Sequence, residues 1–302
     1  MRDTYRKRRE ERNMSVSEHE QQQQVQEILA DVIWVVEPLL TSSECRGLIQ
    51  AATGSGILTS IGSGDRRHRN CNTHYFRDED LSGRIWKRLQ QHVPTTIEFL
   101  QQHIHEPPAG FETENIKGLL GRWTGCGTNP HFTLLYYGPG GHFGPHRDSH
   151  KVFSEHQRSL LTVSIYLTAR PSGTGGATQF LQDEIDLQCT DETGRIQAPE
   201  GSVRTTVEGD SAGKGVVFWH GLMHQGQALG DDSFEPKWLL VTQVLFERDP
   251  ASAPPLINDE RLAREYLNQA EQAEVNGNIT EAIRLYNKAY RLDPRLEDPD
   301  SL

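Results

Sequence analysis

Cysteine is scarce in this chain: four among 302 residues, Cys45, Cys71, Cys126 and Cys189, all widely spaced. No CxxC pair occurs, so neither a zinc ribbon nor a thioredoxin-type motif is supported. Long apolar runs are missing too. Stretches such as Asp31 to Leu40 are broken by charge or proline within a few residues, far short of the roughly 18 needed to cross a bilayer. No apolar segment follows the charged N-terminus as a secretory signal would require. The expectation is a cytoplasmic or nuclear protein with reduced thiols, not a membrane protein. Net positive charge is also absent. The balance is −11, from 42 acidic and 31 basic residues, which argues against a general nucleic-acid coat.

Apolar residues make up 35% of the chain and its mean hydropathy is −0.64. That is lean, but a chain of this length still buries a core. Residues 1–26 are charged and polar and are expected to be a disordered tail. Arg2, Arg6, Lys7, Arg8, Arg9 and Arg12 crowd its start. They suit a short nuclear-import or phosphate-touching tag, or more plainly a solvated end. A strand-like run follows at Ile33 to Val36, then a helix from Leu39 to Ala52 for which Thr41, Ser42 or Ser43 can serve as cap. A second helical stretch is expected from Leu81 to Gln102, kinked or divided at Pro94.

Past Pro107-Pro108, short β-rich runs alternate with glycine-rich turns: His131 to Tyr137, Leu160 to Leu167, Val216 to Trp219 and Trp238 to Phe246. Many strands without intervening helices imply an antiparallel sandwich or barrel. The polar stretch Asp183 to Gly215 reads as a long surface insertion. Residues 249–258, with Pro250, Pro254 and Pro255, read as a linker. Beyond it the period becomes helical, Leu262 to Val275 and Ile279 to Leu292, with Gly277 suited to the left-handed stop between them.

The most informative segment is Tyr136-Tyr137-Gly138-Pro139-Gly140-Gly141-His142-Phe143-Gly144-Pro145-His146-Arg147-Asp148. His146 and Asp148 are two apart, so on a strand they share a face. An imidazole and a carboxylate so placed can bind one cation. A third ligand from a distant strand would complete a two-histidine, one-carboxylate facial triad. H-x-D alone is weak, and a simple turn pairing is its plainer reading. Its context is stronger: His224 lies 78 residues downstream after a strand-like run, and Lys237 follows by 13 more. A buried lysine beside such a site suits a carboxylate partner.

Several blocks, in order, resemble the prolyl 4-hydroxylase type of Fe(II)/2-oxoglutarate dioxygenase. They are Leu39 to Cys45 with Leu48-Ile49, Tyr137 to Asp148, Thr162 to Thr168 with Gly175 to Phe180, and Lys214 to Trp219 with His224-Gln225-Gly226 and Lys237-Trp238. The resemblance spans about two-thirds of the chain. It implies a mainly β fold with flanking helices, a double-stranded β-helix or jelly roll, over residues 27–248 with its core at 130–248. It implies His146, Asp148 and His224 as catalytic iron ligands, and Lys237, Tyr137 and Thr178 as 2-oxoglutarate contacts. It places Arg158 near the family's substrate-side arginine. Gly226 favours His224 over His220 as the distal ligand. His142, His150, His156 and His220 are then expected to be ordinary surface or loop histidines.

The implied cofactors are Fe(II), 2-oxoglutarate as co-substrate, O2 and ascorbate as reductant. The implied reaction hydroxylates a C–H bond, foremost on a peptidyl proline, while 2-oxoglutarate is decarboxylated to succinate. Phe143 and Leu222 replace aromatic residues found in some members, on the substrate side. A free amino acid or small metabolite is the rival substrate class, and a catalytically silent barrel acting as scaffold is the rival outside enzymes. Lys237, where the nucleic-acid repair branch uses arginine, makes a nucleic-acid partner unlike this pattern.

Residues 259–296 resemble one tetratricopeptide unit, a C-terminal α-hairpin. Ala282, Tyr286, Ala289 and Pro294 follow its spacing, and Tyr266 and Ala270 suit the preceding helix. One copy cannot bury its outer face. Two readings stand: a hairpin docked on the barrel, and a module for a protein partner or peptide.

Overall fold

The computed structural model describes residues 23–29, 31–54, 60–61, 65–111, 113–183, 185, 189–255 and 258–297. The basic cluster at residues 2–12 lies outside them. The chain forms two compact units. One comprises residues 1–95, 127–148 and 160–244, and the other 96–126, 149–159 and 245–302.

In chain order the first elements are β1 (Gln24–Leu29), β2 (Ile33–Glu37), α1 (Ser42–Gly54), β3 (Ser60–Ile61), β4 (Arg69–Asn70), β5 (Asn72–Arg77) and α2 (Glu79–Leu89). Then come β6 (Thr96–Phe99), α3 (Thr113–Leu119), β7 (Gly121–Thr128), β8 (His131–Tyr137), β9 (His142–His146) and β10 (Val152–Ser154). The remaining strands are β11 (Gln157–Tyr166), β12 (Thr178–Leu181), β13 (Val203–Val207), β14 (Gly215–Trp219), β15 (His224–Gly226) and β16 (Lys237–Arg248). Helices α4 (Asn258–Val275) and α5 (Ile279–Leu292) close the chain.

The first unit is built on two sheets. The larger follows the order β1-β2-β14-β11-β16-β8-β5-β3, the smaller β13-β12-β15-β9-β4. Pairing throughout the smaller sheet is antiparallel. Phe180 of β12 meets Phe218 of β14 edge to face at 5.0 Å, so the sheets share one core. Val216 and Phe218 on β14 are wholly buried on that face, while Val217, with Val163 and Ile165 of the neighbouring β11, is wholly buried on the other. This is the curled, mainly β jelly roll expected from the sequence, followed by a C-terminal helix pair. No helix among the described residues is long and apolar enough to cross a membrane.

Local chemistry explains the boundaries. Thr41 caps α1: its Oγ1 accepts from Glu44 N–H at 3.2 Å, and Glu44 Oε2 accepts from Thr41 N–H at 2.8 Å. This is a reciprocal capping box. Arg88 of α2 then pairs with the same Glu44 at 2.8 Å. Gly213 takes a positive φ of 93°, and a Cβ there would lie 1.8 Å from the Leu40 carbonyl oxygen. Only glycine brings the backbone close enough for its own carbonyl to accept from Leu39 N–H at 2.7 Å.

Three expectations need correction. Residues Gln24, Val25 and Gln26, placed in the tail by the sequence, belong to a strand, because β1 pairs with β2. The helix expected to run to Gln102 ends at Leu89, and Thr96–Phe99 is a strand paired with β7. Pro94 removes a helical donor, and Thr95, Thr96 and Ile97 form a β-branched run, so strand pairing prevails. The stretch 183–215 is not merely surface: β13 completes the smaller sheet, and Ile196 is buried.

In the second unit, α4 and α5 pack through small residues, with Ala263 and Ala289 fully buried beside Leu296, Tyr266 and Tyr290.

Candidate metal centre

His146 ends β9 and His224 begins β15. The antiparallel register sets them directly opposite each other, with ring centroids 4.2 Å apart. Asp148 lies two residues past His146 and is anchored by its N–H, which donates to the His220 carbonyl at 3.0 Å. One ligand atom from each of His146, Asp148 and His224 lies within 4.8 Å of the others. His146 Nε2 is 3.7 Å from Asp148 Oδ1, and His224 Nε2 is 3.8 Å from Asp148 Oδ2.

The outer contacts fix which nitrogen faces inward. His146 Nδ1–H donates to the Gly144 carbonyl at 2.8 Å, and His224 Nδ1–H to the Leu222 carbonyl at 2.9 Å. Both Nε2 lone pairs are therefore left for a cation, in the arrangement typical of metal-binding imidazoles. Burial, reinforced by His224, holds the His146 pKa down to about 3, so the ring is neutral at physiological pH. Burial alone would raise the Asp148 carboxyl, but the two imidazoles and the Thr162 hydroxyl outweigh it and keep the carboxyl below its usual range. Two imidazoles and one carboxylate suit a divalent first-row metal such as Fe(II).

The sequence reading missed Thr162 and Tyr166. Both lie on the polar alternation of β11, opposite in phase to Leu161, Val163 and Ile165, and that period of two was the available signal. Thr162 Oγ1 donates to Asp148 Oδ2 at 2.7 Å and meets His220 Nδ1 at 2.7 Å. Thr162→Val should cost about 10–100-fold in metal affinity, the usual effect of losing such an outer partner. Mn(II) titration followed by electron paramagnetic resonance measures it. Unchanged affinity would show that Asp148 needs no such anchor.

Lys237, at the start of β16, stands opposite Tyr137 of β8 in register. It is 2% exposed. Its Nζ lies 4.8 Å from the Tyr137 ring centroid and 5.2 Å from that of Tyr166. Among the described residues no carboxylate lies within ion-pair distance of it. Burial pushes its pKa down to about 7, against a smaller raising influence of Cys71. Thr178 joins this cluster through Tyr166, whose Oη meets Thr178 Oγ1 at 2.7 Å and accepts from Thr178 N–H at 2.9 Å. The three residues expected to contact 2-oxoglutarate thus lie in one cluster, with Tyr166 as a fourth member.

Phe143 stacks on His146 with ring centroids 3.6 Å apart and planes 10° apart. Arg69 covers its other side, the guanidinium 4.4 Å from the ring centroid. This makes an aromatic wall beside one candidate ligand. His142 and His220 are buried, not ordinary surface histidines. His142 sits between the Gly140 and Arg67 carbonyls, and His220 backs Thr162. Arg158 belongs to the second unit, where its guanidinium lies over the Trp123 ring with Arg248 and Glu155 as charged neighbours.

Residues 132–242 match the family model of the 2OG-Fe(II) oxygenase superfamily. No curated protein matches the chain by sequence. Among solved structures, the chain is similar to a viral collagen prolyl hydroxylase from Paramecium bursaria chlorella virus-1 in complex with 2OG. The identity is 16%, covering 72% of this chain and 97% of that one, with a TM-score of 0.39. A Pseudomonas putida prolyl-4-hydroxylase matches at 14% identity, over 73% of this chain and 94% of its own, with a TM-score of 0.43. The α-ketoglutarate-dependent epimerase SnoN from nogalamycin biosynthesis matches at 16% identity, over 72% and 79% respectively, with a TM-score of 0.39.

Proposed function

We propose that this chain, whose residues 132–242 match the 2OG-Fe(II) oxygenase superfamily, is an Fe(II)- and 2-oxoglutarate-dependent dioxygenase that hydroxylates a peptidyl residue, proline first among candidates. One observation carries the reading. Two imidazole Nε2 atoms and the Asp148 carboxylate converge, and a buried lysine with no carboxylate partner among the described residues lies in the same unit.

Bound Fe(II) would supply oxygen activation coupled to the oxidative decarboxylation of 2-oxoglutarate to succinate. His146, Asp148 and His224 hold the cation, with Thr162 steadying the carboxylate. Lys237 pairs with the distal carboxylate of 2-oxoglutarate, and that pairing repays the cost of burying the ammonium. Tyr137 and Tyr166 present ring faces to Nζ and exclude water, which strengthens the ion pair. Phe143, stacked on His146, forms one wall for the substrate. The oxidation needs no general acid or base from the chain.

The test is succinate release from 2-oxoglutarate with Fe(II) and ascorbate, first without a second substrate, then with proline-containing peptides, free proline and other small acids. Turnover stimulated by proline peptides is the expected result. Stimulation by free acids alone would make the chain a small-molecule dioxygenase. No turnover, together with no Fe(II) binding, would reduce the barrel to a scaffold.

A further inference from the structure

A cavity of about 210 Å³ lies within the second unit, separate from the residues of the candidate metal centre. Among the described residues its walls carry Lys117, Arg158, Arg248, Arg264 and Arg295 against Glu155 and Glu260. That is an excess of positive charge in a chain whose net charge is −11.

The excess is concentrated where it is costly. Arg158 is 3% exposed and Arg248 7%. Both guanidiniums lie over Trp123, at 5.3 and 5.2 Å from its ring. Burial, and then repulsion by Arg248, pulls the Arg158 pKa down to about 10, which leaves it charged. The nearby carboxylate is Glu155, and it is shared: Arg264 Nη1 reaches it at 2.8 Å and Arg248 Nη2 at 3.5 Å. Arg248 also donates to the carbonyls of Gly118, Leu120 and Glu155 and, through Nε, to His156 Nδ1. Arg264 Nε is buried with no hydrogen-bond partner among the described residues. Arg295 is matched by Glu260 and by Asp293 from behind. Among the described residues the cavity walls, with Asp293 added, carry five basic groups against three acidic ones. Buried like charges persist at such cost only where something offsets them, and a multiply charged anion does so directly.

The other walls describe the rest of the ligand. Ile104, Leu120, Pro254 and Pro255 supply an apolar side. The volume exceeds that of a bare phosphate and leaves room for a short carbon skeleton. Guanidinium forks match phosphate oxygens in pairs. Exposed Lys117 stands at the rim, where it can draw an anion in.

We infer that this cavity is a binding site for a small organic phosphate monoester, held by Arg158 and Arg264 with Lys117 at the entrance.

Isothermal titration of the full chain with glycerol 3-phosphate, inorganic phosphate and succinate, at matched ionic strength in chloride, tests this. Saturable one-site binding of both phosphates is expected, the ester being tighter. Arg264→Gln should weaken it roughly ten- to a hundredfold. Lys117→Ala should weaken it less, and Glu155→Gln should tighten it by removing the competing carboxylate. Lys117 is exposed, so its variant keeps the test valid if Arg264→Gln fails to fold. No saturable binding of either phosphate would overturn the inference. So would binding that none of the three variants alters, or binding of succinate in preference to both phosphates.

Discussion

Asp148→Ala should lose Fe(II)-dependent succinate formation, by more than the 10–100-fold that outer partners of metal ligands typically cost. Asp148 is the one anionic donor in the candidate triad, so its removal leaves two imidazoles to hold a dication. The loss should appear first in metal binding, read by Mn(II) titration, and only then in turnover. Fold should be retained. Asp148 is tied to the barrel through its backbone N–H and the His220 carbonyl, which alanine keeps, while Thr162 and His220 retain each other. His146→Ala should behave in the same way. A variant that lost turnover yet bound Mn(II) as tightly as wild type would show that the metal is held elsewhere and would sink the triad.

Lys237→Ala should weaken 2-oxoglutarate binding by about 30- to 4000-fold, the range for truncating one partner of a buried charge pair. Metal affinity should stay near wild type, which separates this variant from Asp148→Ala. The wild-type protein should also show two opposite responses to pH. The folded, ligand-free chain protonates Lys237 only below about 7, while the unfolded chain keeps the proton up to the ordinary lysine value. Between the two, the unfolded state binds more protons, so folding stability should rise with pH. 2-Oxoglutarate requires the ammonium, so its binding takes up a proton in the same range and should weaken toward tenfold per pH unit. Titrations in buffers of different ionisation enthalpy measure the uptake, and denaturant unfolding at pH 7 and 9 measures the stability. Lys237→Met should abolish both slopes. A binding constant that is flat with pH in wild type would mean that Lys237 is not the carboxylate partner.

Much of the site was legible in the chain because its spacing is local. His146 and Asp148 are two apart beside a strand, and period-two geometry sets them on one side. Thr41, Ser42 and Ser43 were all open as the cap of α1, and the structure selects Thr41. His224 and Lys237 stood out only through resemblance, since no local rule links residues 78 and 91 positions beyond His146. Thr162, Ser164 and Tyr166 alternate visibly with Leu161, Val163 and Ile165, but only the fold shows that the polar phase reaches Asp148 and Lys237.

The sequence by itself determined the strand-rich class, the H-x-D pair and the helical hairpin, because each depends on neighbours within a few positions. Tertiary structure alone decided what crosses the chain. The β9–β15 register set His146 opposite His224, and the β8–β16 register set Tyr137 opposite Lys237. It also put Arg158 on Trp123 among other arginines. A side chain's charge can be read from its letter, but its counter-ion, burial and pKa depend on segments brought together from far apart in the chain.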